Sequence, residues 1–489
     1  MNKLRKLTCL LLALMMVFAM TATASAAGDT STITAPDGST RTYEVYQIFV
    51  GDLDPESKVL SNVKWGQNGT GTEGQPVDEA ILDALTSVNG KSDTEKMAAI
   101  EACVNLSSAK FGEVKDGTPL TVPNGYYLIK DVGPVNAAAG EAYGRYVVKI
   151  VGDTTIVPKV SDVSFQKKVK DTNDTTGDTS GWQDSADYDI GDSVPFQLTG
   201  TVADDFKQYT SAYYFAFHDK MDESLDFVQN SVEVYVGSTL ITDGYSLSYT
   251  PHTFDLIFDD LRNVAGVTAG SKITVEFKAT LNASAKLGNQ GNVNDARLEY
   301  SNNPYSEQTG TTNWDSVIVF TYQVVVNKYA NEAVAGKEKA GAAFKLEKLV
   351  GETWTLVKEF QADETTTTFT FKGLDDGKYR LTETVTPSGF NTIDPIEFTV
   401  TADHKVTWEG EARTTILTSL NGTPTEAGLI EFTPNVESGT LTTNVVNKSG
   451  STLPETGGMG TTLFYVLGGV LVLAAVVLLV TKKRMRSEN

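Results

Sequence analysis

Three polar side chains in the C-terminal third lie where a strand pattern places apolar residues, and their types could form a covalent bond. Lys328, Glu383 and Asn447 each share parity with apolar neighbours, and residues of one parity face the same side of a strand. Those neighbours are Tyr322, Val324 and Val326; Tyr379, Leu381 and Val385; and Val445. The pattern predicts an amine, a carboxyl and a carboxamide inside one apolar core, where a lone charge would be costly.

Such a trio can react without a cofactor. Burial lowers the pKa of an amine and raises the pKa of a carboxyl, so both groups could become neutral. The Lys328 amine would then attack the Asn447 carboxamide while Glu383 moves protons, which expels ammonia and leaves an isopeptide bond. The alternative is an ordinary Lys–Glu ion pair at the edge of the core, because lysines at strand ends often extend to solvent.

The middle of the chain carries a parallel set of candidates. Lys167 shares parity with Val163, Phe165 and Val169; Asp219 with Tyr213, Phe215 and Phe217; and Asn302 with Leu298 and Tyr300. An amine, a carboxyl and a carboxamide are again predicted to face the same side as apolar residues.

The candidate residues can meet only if strands position them, and the composition of the chain predicts such strands. Short alternating runs rich in Thr, Val, Tyr and Phe are separated by Gly, Asn, Asp and Pro, which is typical of β-sandwiches. We expect a mainly β chain with three tandem immunoglobulin-like sandwiches, at 28–158, 160–315 and 316–448. The first should also contain helices near 78–88 and 93–107.

The first sandwich has a carboxyl residue at the position that corresponds to Glu383, but it has no lysine that could react. A weak internal repeat aligns residues 125–131 with residues 377–383, which places Asp131 where Glu383 stands. The early strand Arg41 to Phe49 contains no lysine. We therefore predict no crosslink in this domain.

Residues 1–27 have the pattern of a signal peptide. Lys3, Arg5 and Lys6 precede an apolar stretch from Leu10 to Met20, and small residues follow at 24–26. The apolar run is too short to span a bilayer. We expect the mature protein to be exported.

Residues 449–489 contain a linker, a pentapeptide, an apolar stretch and a basic tail. The pentapeptide is Leu453, Pro454, Glu455, Thr456 and Gly457. The stretch Thr461 to Thr481 is long enough to cross a membrane, and the basic residues 482–486 would keep the C-terminus cytoplasmic. This order resembles the sorting signal of sortase substrates. The resemblance implies that a sortase cysteine attacks the carbonyl of Thr456 and releases the Gly457 side.

Composition excludes several functions. The net charge of −22 argues against binding to nucleic acid. Of the two cysteines, Cys9 leaves with the signal peptide, so no intrachain disulfide can form, and we expect Cys103 to be a buried small side chain rather than an intermolecular thiol. Three histidines without paired spacing predict no metal, cofactor or nucleophile site.

Residues 379–390 resemble the E-box of Gram-positive pilins and depart from it mainly at Thr386 and Phe390. In that family the glutamate of the box promotes an isopeptide bond, so the resemblance implies this role for Glu383, with Lys328 and Asn447 as the linked residues.

Three further segments, 188–200, 214–219 and 298–304, resemble the middle domain of pilin backbone subunits. There an aspartate replaces the glutamate, which implies a bond between Lys167 and Asn302 promoted by Asp219. Lys168 and Asn303 are neighbours that could replace two of these residues.

The sequence Ile156-Val157-Pro158-Lys159 resembles the pilin motif whose lysine accepts the acyl group from sortase. Pro158 withholds a ladder N–H, which suits a domain junction where Lys159 is accessible. The alternative is a solvated lysine without this role.

The resemblance covers nearly the whole chain and implies the major structural subunit of a covalent surface pilus anchored to the cell wall. The implied partners are pilus-specific and housekeeping sortases, head-to-tail copies of this chain, minor tip and base pilins, peptidoglycan and host surface ligands. The alternative is a monomeric wall-anchored adhesin, which would not need Lys159. A wall-anchored hydrolase lacks support, because no cluster of nucleophile, base and orienting residue is present. We expect no enzymatic turnover.

Overall fold

A computed structural model describes most of the chain. The described residues are 30–54, 56–57, 59–91, 93–157, 162–409, 412–450 and 460–485. The predicted signal peptide, Lys159 and the pentapeptide 453–457 lie outside them. Three strand-rich domains follow one another, so the predicted mainly β architecture is confirmed.

The first domain combines two sheets with two short helices. Its strands are β1 (Thr30–Thr34), β2 (Thr42–Leu53), β3 (Leu60–Trp65), β4 (Gly112–Lys115), β5 (Leu120–Pro123), β6 (Gly125–Asp131), β7 (Arg145–Ile150) and β8 (Thr154–Thr155), and its helices are α1 (Glu79–Ser87) and α2 (Asp93–Glu101). One sheet has the order β5-β1-β8, and the other has the order β3-β2-β6-β7 with β4 paired to β2. Cys103 follows α2 and is buried against Trp65 and its neighbours.

The middle domain is a sandwich of two larger sheets. Its strands are β9 (Phe165–Val169), β10 (Ser185–Asp187), β11 (Ser193–Thr201), β12 (Phe215–Met221), β13 (Leu225–Val236), β14 (Thr239–Ile241), β15 (Ser246–Tyr249), β16 (Thr253–Phe258), β17 (Lys272–Leu281), β18 (Asn292–Ser301), β19 (Thr309–Thr311) and β20 (Asp315–Phe320). One sheet runs β10-β20-β18-β12-β16-β15 with β19 on β18, and the other runs β14-β13-β17-β11-β9. Alternating apolar residues of both sheets fill one core.

The third domain is a smaller sandwich. Its strands are β21 (Tyr322–Ala330), β22 (Ala343–Val350), β23 (Thr353–Glu359), β24 (Thr368–Leu374), β25 (Gly377–Val385), β26 (Ile396–Glu409), β27 (Ala412–Pro424), β28 (Phe432–Asn435) and β29 (Thr440–Asn447). Its sheets run β24-β21-β29-β28 and β23-β22-β25-β26-β27. The first strand, β21, therefore lies beside the last strand, β29, and the two are parallel.

Strand β20 connects the middle and third domains. It pairs with β18 and β10 of the middle sheet, although residue 315 was the predicted end of that domain. Val317 and Val319 face the middle core, whereas Ile318 and Phe320 belong to the core of the third domain. Because strand side chains alternate, one strand serves two cores, and only Thr321 separates it from β21.

A helix, α3 (Gly460–Met485), ends the described chain. Its segment Leu463–Arg484 has a mean hydropathy of 2.9 and enough length to cross a membrane. Lys482, Lys483 and Arg484 lie in its last turn, as the predicted sorting signal requires.

Candidate crosslinking sites

Three strands position the predicted reacting residues of the third domain. In the parallel pair β21 and β29, Lys328 lies opposite Val445, and Asn447 lies two residues further on. Asn447 therefore faces the same side of the sheet as Val445. Glu383 projects from β25 of the facing sheet. Lys328, Glu383 and Asn447 are 0%, 5% and 0% exposed, so all three lie within the core.

Hydrogen bonds orient the carboxamide toward the carboxyl. Asn447 Nδ2 donates to Glu383 Oε2 at 2.8 Å and to the carbonyl oxygen of Asn391 at 2.6 Å. Lys328 Nζ donates to the carbonyl oxygen of Tyr329 at 3.0 Å. The nitrogen that would leave as ammonia thus already contacts the group that would protonate it.

Two oxygens of this site have no partner. Glu383 Oε1 and Asn447 Oδ1 are buried and accept no hydrogen bond, which is costly for polar atoms in a core. Thr386, one of the two main departures from the E-box pattern, donates its hydroxyl to Glu383 Oε2 at 3.1 Å. One carboxyl oxygen is held, and the other is free to take a proton.

Burial changes the pKa of the Lys328 amine. Desolvation lowers the pKa of Lys328 to about 8, and the opposing attraction of Glu383 is the smaller effect. At neutral pH roughly a tenth of the amine is therefore unprotonated, which is the nucleophilic form and far more than for a solvated lysine.

In the middle domain, Lys167 and Asp219 form a fully buried pair. Lys167 is 0% exposed, its Nζ contacts Asp219 Oδ2, and the Phe196 and Phe277 rings lie 5.4 and 5.3 Å from that nitrogen. Burial lowers the pKa of Lys167 and raises the pKa of Asp219 to about 6, while attraction between the two opposes both shifts. Burial therefore shifts both groups toward their neutral forms, which is the direction that bond formation needs.

Among the described residues, the carboxamide shown in contact with Asp219 belongs to Asn294, not Asn302. Ala296 of β18 lies opposite Asp219 of β12, and Asn294 lies opposite Met221. A contact with the Asn294 side chain lowers the pKa of Asp219 against the effect of burial. Asn294 is 0% exposed, and neither its Oδ1 nor its Nδ2 has a hydrogen-bond partner of ordinary geometry.

The structure does not bring Asn302 to Lys167. Asn302 follows β18, eight positions beyond Asn294, which is roughly 26 Å along an extended strand. It lies at the junction with the first domain, where its carbonyl oxygen accepts from Tyr143 N at 2.8 Å. The prediction for this residue is therefore corrected: residues 294 and 302 have the same parity, so both face inward, and strand register decides between them.

The neighbouring alternatives occupy other environments. Lys168 faces away from the core and pairs with Asp184, with 20% of its side chain exposed. Asn303 is half-buried, and its Oδ1 accepts from Tyr305 N at 3.0 Å. Of the two adjacent lysines, Lys167 is the one that reaches the acid.

The first domain has an arginine where the other two have lysines. Arg41 precedes β2, and its guanidinium contacts Asp131, which is 1% exposed on β6. A second nitrogen of Arg41 lies 2.7 Å from Glu141. Burial raises the pKa of Asp131, and Arg41 opposes this. An arginine stays protonated and is no nucleophile at neutral pH, so this position holds an ion pair.

Two family models match parts of the chain. One is described as the prealbumin-like fold domain SpaA and matches residues 322–412; the other is described as the LPXTG cell wall anchor motif and matches residues 445–489. The first covers Lys328 and Glu383, and the second covers Asn447, the pentapeptide and α3.

Full-length similarity extends over all three domains. The trypsin-resistant surface T6 protein of Streptococcus pyogenes serotype M6 is 23% identical over 527 aligned residues, which include 91% of this chain and 93% of that protein. The solved T6 backbone pilin of the same serotype has a TM-score of 0.52 at 18% identity, covering 88% of this chain and 100% of that one. The full-length major pilin SpaD of Corynebacterium diphtheriae has a TM-score of 0.49 at 16% identity, covering 87% and 98%.

The anchor motif and the fold agree with the layout of the domains. The anchor match ends in the apolar helix α3 and its basic turn, and the T6 backbone pilin shares the three-domain arrangement. The chain is a surface protein that carries an LPXTG cell wall anchor and is built on the multidomain fold of pilins.

Proposed function

We propose that this chain is the major structural subunit of a covalently polymerised, wall-anchored pilus, strengthened by two self-formed isopeptide bonds. The observation that carries the proposal is the buried group Lys328, Glu383 and Asn447, whose amine and carboxamide project from the adjacent first and last strands of the third domain. The similarity to the T6 surface protein over nine-tenths of the chain supports the shaft role. It acts as a structural element, and each bond forms once.

The bond chemistry balances within the site. Lys328 Nζ attacks the Asn447 side-chain carbonyl carbon, the new C–N bond forms, and the bond to Nδ2 breaks. Glu383 accepts a proton from the amine and delivers a proton to the leaving nitrogen, so ammonia departs and Glu383 is regenerated. Lys167, Asp219 and Asn294 would follow the same steps in the middle domain. The residue linked to Lys167 in the middle domain would thus be Asn294 instead of Asn302.

Polymerisation would use the two segments outside the described residues. Sortase would cleave between Thr456 and Gly457 and pass the Thr456 acyl group to Lys159 of the next copy, which gives an open head-to-tail fibre. Ile156 is buried and Val157 is 50% exposed, so the chain is emerging at the surface just before Lys159. Minor tip and base pilins, peptidoglycan and distinct polymerising and anchoring sortases complete the proposed assembly.

Lys159→Ala should abolish the high-mass ladder of cell-wall extracts on a denaturing gel, while single subunits remain attached to the wall. The reason is that the acceptor amine is lost but the Thr456 acyl donor is kept. Lys149→Ala is a matched control from the end of the same domain. An intact ladder in Lys159→Ala would reject this acceptor. Absence of any ladder in the wild type would favour the monomeric adhesin.

Asn447→Ala should make stability depend on pH in a way that the wild type does not. In the variant, Lys328 keeps a free amine whose pKa is lowered by burial to about 8, against 10.5 in the unfolded chain. Between these values the unfolded chain binds more protons, so the stability of the variant should rise as pH increases from 8 to 10.5. Below pH 8 both states are protonated, and the contribution of Lys328 should level off at its lowest value. In the wild type this nitrogen is an amide and does not titrate. Parallel melting curves of the two proteins across this range would show the difference, and identical slopes would contradict the bond.

A further inference from the structure

A histidine and two aspartates meet where the middle and third domains join. Asp171 lies in the loop after β9, Asp187 ends β10, and His404 lies on β26 of the third domain. One ligand atom of each lies within 4.8 Å of the other two. His404 lies far along the chain from the two aspartates, so ligand spacing in the sequence does not predict this cluster.

The distances suit a shared ion better than direct hydrogen bonds. His404 Nε2 is 3.8 Å from Asp171 Oδ2 and 3.7 Å from Asp187 Oδ1, which is too long for a hydrogen bond. Ligands of a tetrahedral ion at about 2.0–2.1 Å lie roughly 3.3–3.5 Å apart. The two distances from the imidazole exceed this separation by only a few tenths of an ångström.

The other nitrogen of the imidazole is already held. His404 Nδ1 lies 2.7 Å from the hydroxyl oxygen of Ser185, and the ring lies 5.4 Å from the Phe320 ring. A polar partner on one ring nitrogen fixes the orientation of a metal-binding histidine. Nε2 is therefore directed toward the two carboxylates.

A buried hydroxyl without a well-formed hydrogen bond lies beside the same residues. Tyr322 is 1% exposed, and its hydroxyl contacts Asp187 but makes no hydrogen bond of ordinary geometry. The charges that act on this hydroxyl are those of Asp187, Asp171 and Asp376, and Asp171 Oδ1 is also buried without a partner. A water molecule bound to an ion here would satisfy the hydroxyl, which is otherwise costly to bury.

We propose that Asp171, Asp187 and His404 bind a divalent transition-metal ion of the zinc class, which links the middle domain to the third. Nitrogen and carboxylate ligands together select such ions, whereas calcium takes six to eight oxygen ligands. The proposal goes beyond the pilus role and does not depend on it.

In a neighbouring cluster at the same interface, a lysine side chain neutralises the aspartates without a metal ion. Lys348 Nζ lies 2.8 Å from both Asp174 and Asp189 of the middle domain, and it also contacts Asp375. Its ammonium already supplies the cation of that cluster. Among the described residues, no lysine or arginine donates a hydrogen bond to Asp171 or Asp187. A metal ion would supply the positive charge there, as the Lys348 ammonium does in the neighbouring cluster.

The test compares thermal unfolding of the full chain in detergent, first stripped with a chelator and then supplied with Zn²⁺ or Ca²⁺. His404→Gln and Asp171→Asn remove ligands. His218→Gln is the matched control, because both nitrogens of His218 already contact carboxylates, Asp255 at 2.6 Å and Glu299 at 3.1 Å.

Zinc should raise the melting temperature of the wild type and of His218→Gln by several degrees, and should leave His404→Gln and Asp171→Asn unchanged. Calorimetric titration should find one zinc ion per chain. An equal zinc response in all four proteins, no response in the wild type, or a response to calcium alone would overturn the proposal. Anomalous scattering at the zinc edge from wild-type crystals checks the position even if a variant fails to fold, and a signal elsewhere would contradict it.

Discussion

Glu383→Ala should leave Lys328 and Asn447 unlinked and lower the melting temperature of the third domain by roughly 15 °C. The bond would close a loop of nearly the whole domain, and by analogy with a disulfide it contributes about 4–5 kcal/mol, mainly by restricting the unfolded chain. At a few degrees per kcal/mol for a domain of this size, the shift is large. The variant should also gain about 17 Da relative to the linked state, beyond the mass of the substitution.

A surface carboxylate separates this effect from simple loss of charge. Glu397 pairs with Lys378 at 2.7 Å, with both side chains about one-third exposed, and an exposed pair of this kind contributes little. Glu397→Ala should therefore melt within a few degrees of the wild type and retain the crosslink. If Glu383→Ala keeps the mass of the linked form, Glu383 is not the promoter.

The second large effect separates two asparagines of one strand. Asn294→Ala should lose the middle-domain bond, which raises the mass by about 17 Da beyond the substitution and lowers the melting temperature of that domain by roughly 15 °C. The reason is that Asn294 contacts Asp219 of the Lys167–Asp219 pair, and no other asparagine among the described residues has such a contact with this pair. Peptide mapping should lack the fragment that joins the peptides of Lys167 and residue 294.

Asn302→Ala is the matched control for this prediction. Asn302 is buried and faces inward like Asn294, but it lies at the junction with the first domain. Its main hydrogen bond uses the backbone carbonyl, which alanine retains. The variant should keep the crosslink. A crosslink lost in Asn302→Ala and kept in Asn294→Ala would restore the first assignment.

The position of the bonds explains how a chain without an intrachain disulfide could bear load. If copies are joined head to tail, tension enters a domain near its first strand and leaves after its last. In the third domain these strands are β21 and β29, which carry Lys328 and Asn447. The bond would pass force directly between them, so residues 329–446 would not be unfolded by pulling.

Alternation of side chains predicted much of the candidate sites, because the period of a strand is fixed. It placed Lys328, Glu383, Asn447, Lys167 and Asp219 inward, and all five are buried. It could not choose between Asn294 and Asn302, because both satisfy the same parity. Register along β12 and β18 makes that choice, and register depends on pairing between strands far apart in sequence.

The domain pattern was visible in the sequence, but its details required tertiary structure. The mainly β architecture followed from the alternating runs and turn residues. The predicted boundary at residues 315 and 316 places nearly all of β20 in the third domain, whereas this strand pairs within the middle sheet and faces two cores at once. Likewise, the absence of lysine from Arg41 to Phe49 predicts no bond in the first domain, but the Arg41–Asp131 pair became apparent only from the folded chain.

The intact mass of the mature wild-type protein tests the central claim most directly. Two isopeptide bonds, each formed with loss of one ammonia, predict a mass about 34 Da below that of the sequence. Mapping should assign one loss to Lys328 and Asn447 and the other to Lys167 and Asn294. A mass equal to that of the unmodified sequence would contradict both bonds.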